Sequence, residues 1–368
     1  MSIYTTDAFA GQRISRHARS KIGDDVVYMD GIKIYEFKSL KIIASTFHAH
    51  LYISPAMISI VRKNICMFDV IHLHEYRTFQ NIIVGYYARK KGIPYVIQAH
   101  GSLPLLMANQ RQKMLFDMLW GRRLLEGATK IVASTLVEAQ QYQSMGIKKE
   151  KIVVVPNAID LSDFQEPPLK GSFRAKHNLQ PKDKIILFLA RIHKIKGLDL
   201  LAEAFAELLH EKDDVILVIA GPDFGYLDCM KRIVHKLGIE DKVLFTGPLY
   251  GSDKLEAFAD ADVYVLPSIY ETFPVSVLEA CACGTPVIVT DRCGIANMID
   301  GQVGYAVPFD KDRLKAAFVM MLNDEKKRAK FGEQGRLLVH ERFTWSKVAN
   351  QMENIYSSCL QSTKSLHR

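Results

Sequence analysis

The alternation of short apolar runs with longer helical patterns is the feature that most constrains the fold of this chain. Most of the runs are continuously apolar, which is typical of strands covered on both faces of a sheet. They fall at 69–74, 95–98, 130–134, 152–155, 185–190, 215–220, 243–245, 263–266 and 287–290. Helical patterns between them cover 79–91, 108–126, 198–210, 226–237 and 311–340. This order predicts an α/β fold with parallel sheets built from βαβ units.

The stretch PNAIDLSDFQEPPLKGS, residues 156–172, divides the strand-like runs into two sets and has the composition of a linker. A chain of 368 residues is long enough for two such domains. We therefore predict two doubly wound domains, 1–165 and 166–343, followed by a last helical segment, 344–368. Ligands of such sheets bind beyond the carboxyl ends of the strands, so the cleft between the domains is the expected site.

Two carboxylates, Glu271 and Glu279, flank the apolar run in ETFPVSVLEACACG. Pro274 suits a first helical turn and the Gly-Thr-Pro that follows Cys283 ends the helix, so a helix is predicted over 274–283. The amides of its first turn form an anion site. Glu279 lies too deep in the helix to cap it, so it needs a partner such as a hydroxylated ligand, unless it is a surface glutamate between apolar neighbours.

Two cations, Arg191 and Lys196, follow the strand-like run 185–190, and Gly197 precedes the next helix. Cations at the carboxyl end of a parallel strand are well placed to bind phosphates, the arginine as a fork and the lysine as a point charge. The alternative is a solvated basic loop. A diphosphate-bearing ligand would account for this pair and for the anion site together.

A histidine, His100, ends the strand-like run 95–98 in IQAHGSLP, where its side chain can face the predicted cleft. A lone histidine is more often structural. Asp69, His72, His74 and His100 could be imagined as a metal cluster, but strand alternation supplies no fixed carboxylate there. We therefore predict no metal site.

All of the net positive charge lies in the first half of the chain. Residues 1–165 hold 21 Lys and Arg against 13 Asp and Glu, and the remaining residues hold 27 of each. A solvated basic surface, an anionic ligand or peripheral contact with anionic lipid would each explain the excess. Nucleic acid is disfavoured because no basic-aromatic stripe accompanies the charge. The segment 111–126 mixes apolar bulk with arginines, and because its apolar residues surround the helix, a buried helix with basic fringes is favoured over a membrane helix.

Cysteine spacing and the amino-terminal residues favour the cytoplasm, and the basic first half of the chain is compatible with the cytoplasmic face of the membrane. The cysteines are scattered without zinc-site spacing, which is typical of free thiols in a reducing compartment. The first residues carry no apolar core behind a basic start, so a signal peptide is not predicted.

The motifs together resemble those of the nucleotide-sugar glycosyltransferases of family 4, which have the GT-B fold. They occur in order over residues 60–350: HLHEYRTFQNIIVGYYARKKGIPYVIQAHGSLP, VVVPNAIDLSDF, LARIHKIKGLDLL, VIAGP, FTGPLYGSDK, ADVYVLPSIYETFPVSVLEACACGTPVIVT and DGQVGYAV. The spacing from Glu271 to Glu279, with Arg191 and Lys196 before it, is the most specific of these. The resemblance implies a retaining hexosyltransferase that needs neither a cofactor nor a divalent metal.

The resemblance also implies a role for each matching residue. Glu279 would bind the ribose hydroxyls and Glu271 the hydroxyls of the donor sugar. Arg191 and Lys196 would hold the diphosphate and stabilise the leaving group, and His100 would reach the sugar from the first domain. The loop and amides implied to line the donor site are Gly247, Pro248, Leu249, Thr272, Phe273, Pro274 and Val275.

The amino-terminal region departs from the family pattern. Family members open with a strand, a Gly-Gly loop and a long helix, whereas this chain resembles them only from the second strand, so its first domain is expected to lack the first βα unit. The donor would be a UDP-, GDP- or ADP-sugar and the acceptor a glycan or a lipid-linked saccharide. The alternatives are a catalytically impaired nucleotide-sugar-binding protein and a GT-B sugar-nucleotide epimerase.

Overall fold

The computed structural model describes residues 1–6, 8–9, 12–13, 25–43, 50–106, 109–165 and 168–366. Residues 14–24, part of the region that departs from the family pattern, lie outside the described residues. The chain divides into two compact units. The first comprises 1–133, 139–154 and 352–368, and the second comprises 134–138 and 155–351.

The first unit contains the strands of the amino-terminal half and the helices between them. Its strands are β1 (Ser2–Thr6), β2 (Ala8–Phe9), β3 (Gln12–Arg13), β4 (Asp25–Met29), β5 (Ile32–Phe37), β6 (Leu40–Ile43), β7 (His50–Ile53), β8 (Ile71–His74), β9 (Tyr95–Gln98), β10 (Lys130–Ala133) and β11 (Ile152–Val154). Its helices are α1 (Pro55–Asn64), α2 (Phe79–Lys91), α3 (Gln110–Phe116), α4 (Arg122–Gly127) and α5 (Leu136–Ser144), of which α5 begins in residues assigned to the second unit. Strands β8 to β11 form a parallel sheet in the order β11-β10-β9-β8.

The sheets formed by the strands before β8, a region in which no strand-like runs were predicted, are not purely parallel. β4 and β5 pair in antiparallel register across a two-residue turn, and β6 pairs with β7 in the same sense. The turn residues Asp30 and Gly31 both have positive φ, 51° and 76°. Asp-Gly with this conformation is the preferred connection of a tight hairpin. β1 pairs in parallel with β5, and the absence of a first βα unit stays a prediction.

In the second unit, strands and helices alternate along the chain. Its strands are β12 (Lys184–Leu189), β13 (Val215–Ala220), β14 (Val243–Gly247), β15 (Val263–Leu266), β16 (Val287–Thr290) and β17 (Gly304–Val307). Its helices are α6 (Ser172–Lys176), α7 (Leu198–Leu209), α8 (Leu227–Leu237), α9 (Gly251–Asp260), α10 (Val275–Cys283), α11 (Ala296–Ile299), α12 (Lys311–Asn323), α13 (Glu325–Arg342) and α14 (Trp345–Leu366), the last of which extends into residues assigned to the first unit.

The order of the second sheet determines where a ligand can bind. The strands run β14-β13-β12-β15-β16-β17, and all five neighbouring pairs are parallel. The chain therefore winds outward from β12 in one direction and then from β15 in the other. Ligands of open α/β sheets bind where the strand order reverses, outside the carboxyl ends of those two strands. The core strands are buried on both faces, as their continuous apolar runs predicted.

Two predicted helices are divided. The pattern over 311–340 is broken at Asp324, whose side chain accepts a hydrogen bond from the amide of Lys327 (2.9 Å) and so caps a new helix. The segment predicted over 108–126 is α3, a π-helical turn at Asp117–Gly121, and α4. Its apolar residues are largely exposed, so the expectation of a buried helix is wrong. No helix within the described residues combines the length and apolar character needed to cross a membrane.

Candidate functional site

The turn after β12 places a lysine at the reversal point of the second sheet. A 3₁₀ turn, Lys194–Lys196, precedes Gly197, which has φ of 70°. A Cβ at Gly197 would overlap the carbonyl oxygen of Pro267, so only glycine allows the two loops to approach this closely. The amide of Ile269 donates to the carbonyl of Ile195 (2.8 Å) and joins the same loops. Lys196 is consequently held in place and is only 8% exposed.

Glu271 lies in the loop after β15 and forms an ion pair with Lys196. Its carboxylate accepts a hydrogen bond from the lysine ammonium, and both side chains are mostly shielded from solvent. The backbone of Glu271 is fixed on both sides, because its amide donates to Arg292 (3.3 Å) and its carbonyl accepts from Gly294 (2.8 Å). The carboxyl ends of β12 and β15 thus carry a cation and an anion in contact, within the second unit.

Helix α10 begins directly after this loop. Pro274 is its N-cap residue, and Thr272 and Phe273 before it are buried. The hydroxyl of Tyr264 in β15 contacts Ser276 Oγ at 2.7 Å and donates to the carbonyl of Leu189 at 3.2 Å, tying the first turn of α10 to the end of β12. The positive end of the helix dipole therefore lies at the reversal point.

Glu279 lies on the next turns of α10 and also has a lysine partner. Lys254 Nζ in α9 donates to Glu279 Oε1 at 2.7 Å, and about a fifth of each side chain is exposed. The sequence argument required a partner for Glu279 and proposed a ligand for that role, but Lys254 meets the requirement within the protein. A carboxylate held by one lysine still has acceptor capacity for hydroxyl groups.

Arg191 is exposed at the end of β12, and its guanidinium lies 5.2 Å from the centre of the Phe224 ring. This contact orients the arginine without neutralising its charge. Burial lowers the pKa of the adjacent His193, and the charges of Arg191 and Lys196 lower it further. The turn after β12 therefore carries Arg191, Lys194 and Lys196 as basic side chains, beside an imidazole whose pKa is lowered.

The loop after β14 begins at Gly247, which has φ of 75°, and continues through Pro248 and Leu249. The carbonyl of Gly247 accepts a hydrogen bond from the amide of Gly221 (2.9 Å). Pro248 is exposed and Leu249 is half-buried against the core. This loop follows the strand two positions from β12 in the sheet.

His100 lies in the first unit, immediately after β9, in a group of three histidines. Its Nε2 is 2.9 Å from Nδ1 of His74, and the rings of His72 and His74 stack with centres 4.2 Å apart. His72 Nδ1 in turn contacts the hydroxyl of Tyr356 at 2.8 Å. His100 has φ of 50°, which is unusual for a residue other than glycine and marks local strain.

The three imidazoles are neutral at physiological pH. Burial lowers the pKa of His72 to about 3, and the neighbouring histidines add to the effect. Desolvation and the adjacent His74 lower the pKa of His100 to about 4, although its side chain retains an exposed surface. Burial also lowers the pKa of His74. Neutral imidazoles can each donate and accept one hydrogen bond, which suits them to bind hydroxyl groups.

Among the described residues, no three His, Cys, Asp or Glu side chains are grouped so that they could hold a metal ion. In the histidine group, His74 Nδ1 contacts His100 Nε2 and His72 Nδ1 contacts Tyr356.

Sequence reasoning did not identify two residues near the site. Lys254 belongs to the GSDK turn that opens α9, and the spacing alone gave no sign that it would pair with Glu279. Asn157, in the linker, donates from Nδ2 to the carbonyl of Phe273 (3.4 Å). Both residues lie in motifs that carried the family resemblance, which was the only available signal.

Two family models together match most of the chain. The model described as "Glycosyl transferases group 1" matches residues 170–338. The model described as "Glycosyltransferase Family 4" matches residues 16–163.

Curated relatives match over about four fifths of the chain. A D-inositol 3-phosphate glycosyltransferase of Catenulispora acidiphila is 28% identical over 316 residues, which is 81% of this chain and 73% of the relative. An uncharacterized glycosyltransferase of Methanocaldococcus jannaschii is also 28% identical, over 80% of this chain and 76% of the relative.

A solved structure, that of the Anabaena protein HepE in complex with UDP and glucose, has the same fold. It superposes with a TM-score of 0.72 over 89% of this chain and 87% of HepE, at 18% sequence identity. The predicted GT-B fold class is confirmed by this likeness.

Proposed function

The chain belongs to glycosyltransferase family 4, as its motifs predicted, and from this premise we propose that it transfers a sugar from a nucleoside diphosphate sugar to a glycan or a lipid-linked saccharide. The enzyme is a transferase. The donor, the acceptor and retention of anomeric configuration are the proposed part.

The observation that carries the proposal is the convergence of charge at the reversal point of the second sheet. Lys196 after β12 and Glu271 after β15 are in contact there, and helix α10 begins at the same edge. A ligand with an anionic centre and hydroxyl groups on either side would match these groups. A nucleoside diphosphate sugar has that composition, and the UDP and glucose bound to HepE are of the same class.

The residues of the second unit have separate proposed roles. Arg191 and Lys196 bind the diphosphate and stabilise the negative charge that develops on it as the sugar leaves. The amides of Thr272 to Val275 bind phosphate and sugar at the helix terminus. Glu279 binds the ribose hydroxyls, and the loop Gly247 to Leu249 contacts the base.

Glu271 and His100 are proposed to bind hydroxyl groups of the donor sugar. Because Glu271 is already paired with Lys196, it acts as a hydrogen-bond acceptor of fixed orientation. The neutral imidazole of His100 can accept or donate, and its contact with His74 sets which ring nitrogen carries the proton. The proposed chemistry needs no divalent metal, since cations of the chain offset the charge of the leaving group.

Thermal-shift titration with UDP, GDP and ADP tests the donor site. We expect one nucleotide to raise the melting temperature of the wild-type protein. Glu279→Ala should raise the dissociation constant of that nucleotide at least about tenfold, because charge-assisted hydrogen bonds to the ribose are lost. Lys311→Ala, which removes an exposed lysine of the same unit, should leave affinity unchanged. If none of the three nucleotides shifts the melting temperature, the proposed donor class is wrong.

Product analysis separates transfer from the alternatives. With the sugar derivative of the nucleotide that binds, we expect nucleoside diphosphate release to increase when a saccharide acceptor is added and to fall in Lys196→Ala. Conversion of the donor sugar without release of nucleotide would indicate an epimerase. Binding without release under any acceptor condition would indicate a nucleotide-sugar-binding protein.

A further inference from the structure

The helical segment of the first unit that spans α3, the π-helical turn and α4 has an exposed apolar surface. Met118 is 72% exposed and Trp120 is 46% exposed. We define the apolar ridge as the five exposed residues of this segment, Met114, Leu115, Met118, Leu119 and Trp120. Scattered apolar residues are common on protein surfaces, but contiguous ones mark an interaction site.

A groove of about 290 Å³ adjoins the ridge, between this segment and α2. Its apolar lining consists of Ile82, Ile83, Tyr86, Leu119, Trp120 and Leu124. Leu119 and Trp120 belong to both features, so the ridge and the groove form one continuous apolar surface. The mostly apolar lining suits the groove to contact with hydrocarbon.

The surface is bordered by cations. Arg89 and Arg123 line the groove together with the apolar side chains, and the ammonium of Lys90 lies 5.8 Å from the centre of the Tyr86 ring. Residues 79–127 hold seven Lys and Arg against two Asp and Glu. Both acids are engaged, Asp117 with Arg77 and Glu126 with Arg122. The part of the chain that contains the groove therefore carries a net positive charge.

The ridge is held by the core beneath it. Arg77 binds both carboxylate oxygens of Asp117 (2.9 and 2.7 Å) and also donates to the carbonyl of Leu103 (2.8 Å). Gly121, at the end of the π-helical turn, packs so closely on the buried Tyr76 that a Cβ there would overlap the tyrosine hydroxyl. The backbone of the segment is thus anchored to the core. The exposure of its apolar side chains therefore does not result from loose packing of the segment.

We propose that the apolar ridge and its groove dock this protein on an anionic lipid bilayer, with Trp120 and the ridge in the interfacial region and the cations on lipid phosphates. Tryptophan, long apolar side chains and arginine together are the chemistry of the bilayer interface. Positive charge near an anionic leaflet adds to the attraction and makes it sensitive to salt. The docking surface lies wholly in the first unit and does not depend on nucleotide-sugar binding by the second.

Tryptophan fluorescence tests the orientation of the docked protein. The chain has two tryptophans, so Trp345→Phe leaves Trp120 as the sole reporter. With vesicles of phosphatidylcholine and phosphatidylglycerol in equal amounts, we expect its emission to shift to shorter wavelength and to be quenched by brominated acyl chains. Vesicles of phosphatidylcholine alone should give little change. The converse variant, Trp120→Phe, reports Trp345 alone. The proposal would be overturned if vesicles shift the emission of Trp345 and leave that of Trp120 unchanged.

Co-sedimentation with the same vesicles tests the surface by matched substitution. Met114 and Met320 are both helical methionines of similar exposure, 52% and 49%, in different units. Met114→Asp places a charge on the apolar ridge and should lower the vesicle partition coefficient at least about fivefold. Arg123→Ala should lower it by a similar factor, because each cation near an anionic surface contributes on that scale. Met320→Asp should have no effect. Equal binding by all three variants would overturn the proposal, and so would a dimer that Met114→Asp dissociates without any vesicle binding.

Discussion

The two units place different chemistry at the carboxyl ends of their strands. In the second unit, the turn after β12 carries Lys196 in an ion pair with Glu271, and Gly197 supplies the left-handed backbone. In the first unit, the turn after β9 carries His100, itself in a left-handed conformation, in contact with a second neutral imidazole. In the second unit the shielded side chains are stabilised because opposite charges pair, whereas in the first unit the side chains are uncharged.

The difference follows from space and from the cost of burying charge. Pro267 leaves no room for a side chain at position 197, so glycine is required there. His100 has a positive φ despite its Cβ, a strain that is tolerated where the side chain is exposed. A buried ammonium needs a carboxylate, whereas a buried histidine can release its proton. The second edge should therefore be sensitive to loss of a partner and the first to pH.

The largest expected effect is that of Gly197→Ala. The added methyl overlaps the Pro267 carbonyl oxygen, so the β12 and β15 loops must separate, and we expect a loss of at least about 4 kcal/mol in the free energy of unfolding. Gly238→Ala is the matched control, because Gly238 has φ of 67° and no atom near its Cβ position. That variant should lose only about 1–2 kcal/mol. Urea denaturation measures both, and equal losses would contradict the steric argument.

Glu271→Ala is expected to have the next largest effect. It leaves the shielded ammonium of Lys196 without its carboxylate, and breaking a buried pair in this way costs about 3 kcal/mol. The control is Glu207→Ala, which breaks the exposed pair with Lys311 (3.1 Å) and should lower the free energy of unfolding far less, because solvent screens exposed charges. Urea denaturation again provides the measurement. A cost for Glu271→Ala no larger than that of the control would show that solvent screens the pair.

Acid should weaken the first unit gradually through its histidines. The unfolded chain protonates these residues near pH 6.5, whereas the folded protein protonates His72 near pH 3 and His100 near pH 4. Between these values the unfolded state binds more protons, so the free energy of unfolding falls as pH decreases from about 6.5 toward 4. Replacement of His72 by Phe removes one titrating group and should make that slope shallower. An unchanged slope would show that His72 is accessible to protons in the folded state.

The smallest perturbation is chemical labelling of the native protein. Burial raises the pKa of the thiols of Cys281, Cys283 and Cys293 to about 12. These cysteines of the second unit should therefore react slowly with iodoacetamide at pH 7. Cys66 in the first unit is exposed and should react first. Mass spectrometry of tryptic peptides identifies the modified positions. Early modification of Cys281 would indicate that α10 opens in solution.

Regular elements were predictable where local pattern and tertiary environment agreed. Five of the six parallel strands of the second unit match their apolar runs to within a residue or two, whereas β17 was not among the predicted runs, and the helix after Pro274 begins at Val275. The prediction failed for the segment 108–126 because an apolar helix normally packs into a core, and this one is exposed at Met118 and Trp120. It also missed the Asp30-Gly31 hairpin, whose turn chemistry lies in a region of weak periodicity.

The sequence by itself determined the fold class, the family and the positions along the chain of the charged groups at the candidate site of the second unit. Local spacing is enough for this, because hydrophobic periodicity and turn residues act over a few positions along the chain. Only the tertiary structure decided which groups meet. Lys254 reaches Glu279 across 25 residues and Lys196 reaches Glu271 across 75, because the order of the parallel strands, which no local pattern encodes, brings their carboxyl ends to one edge.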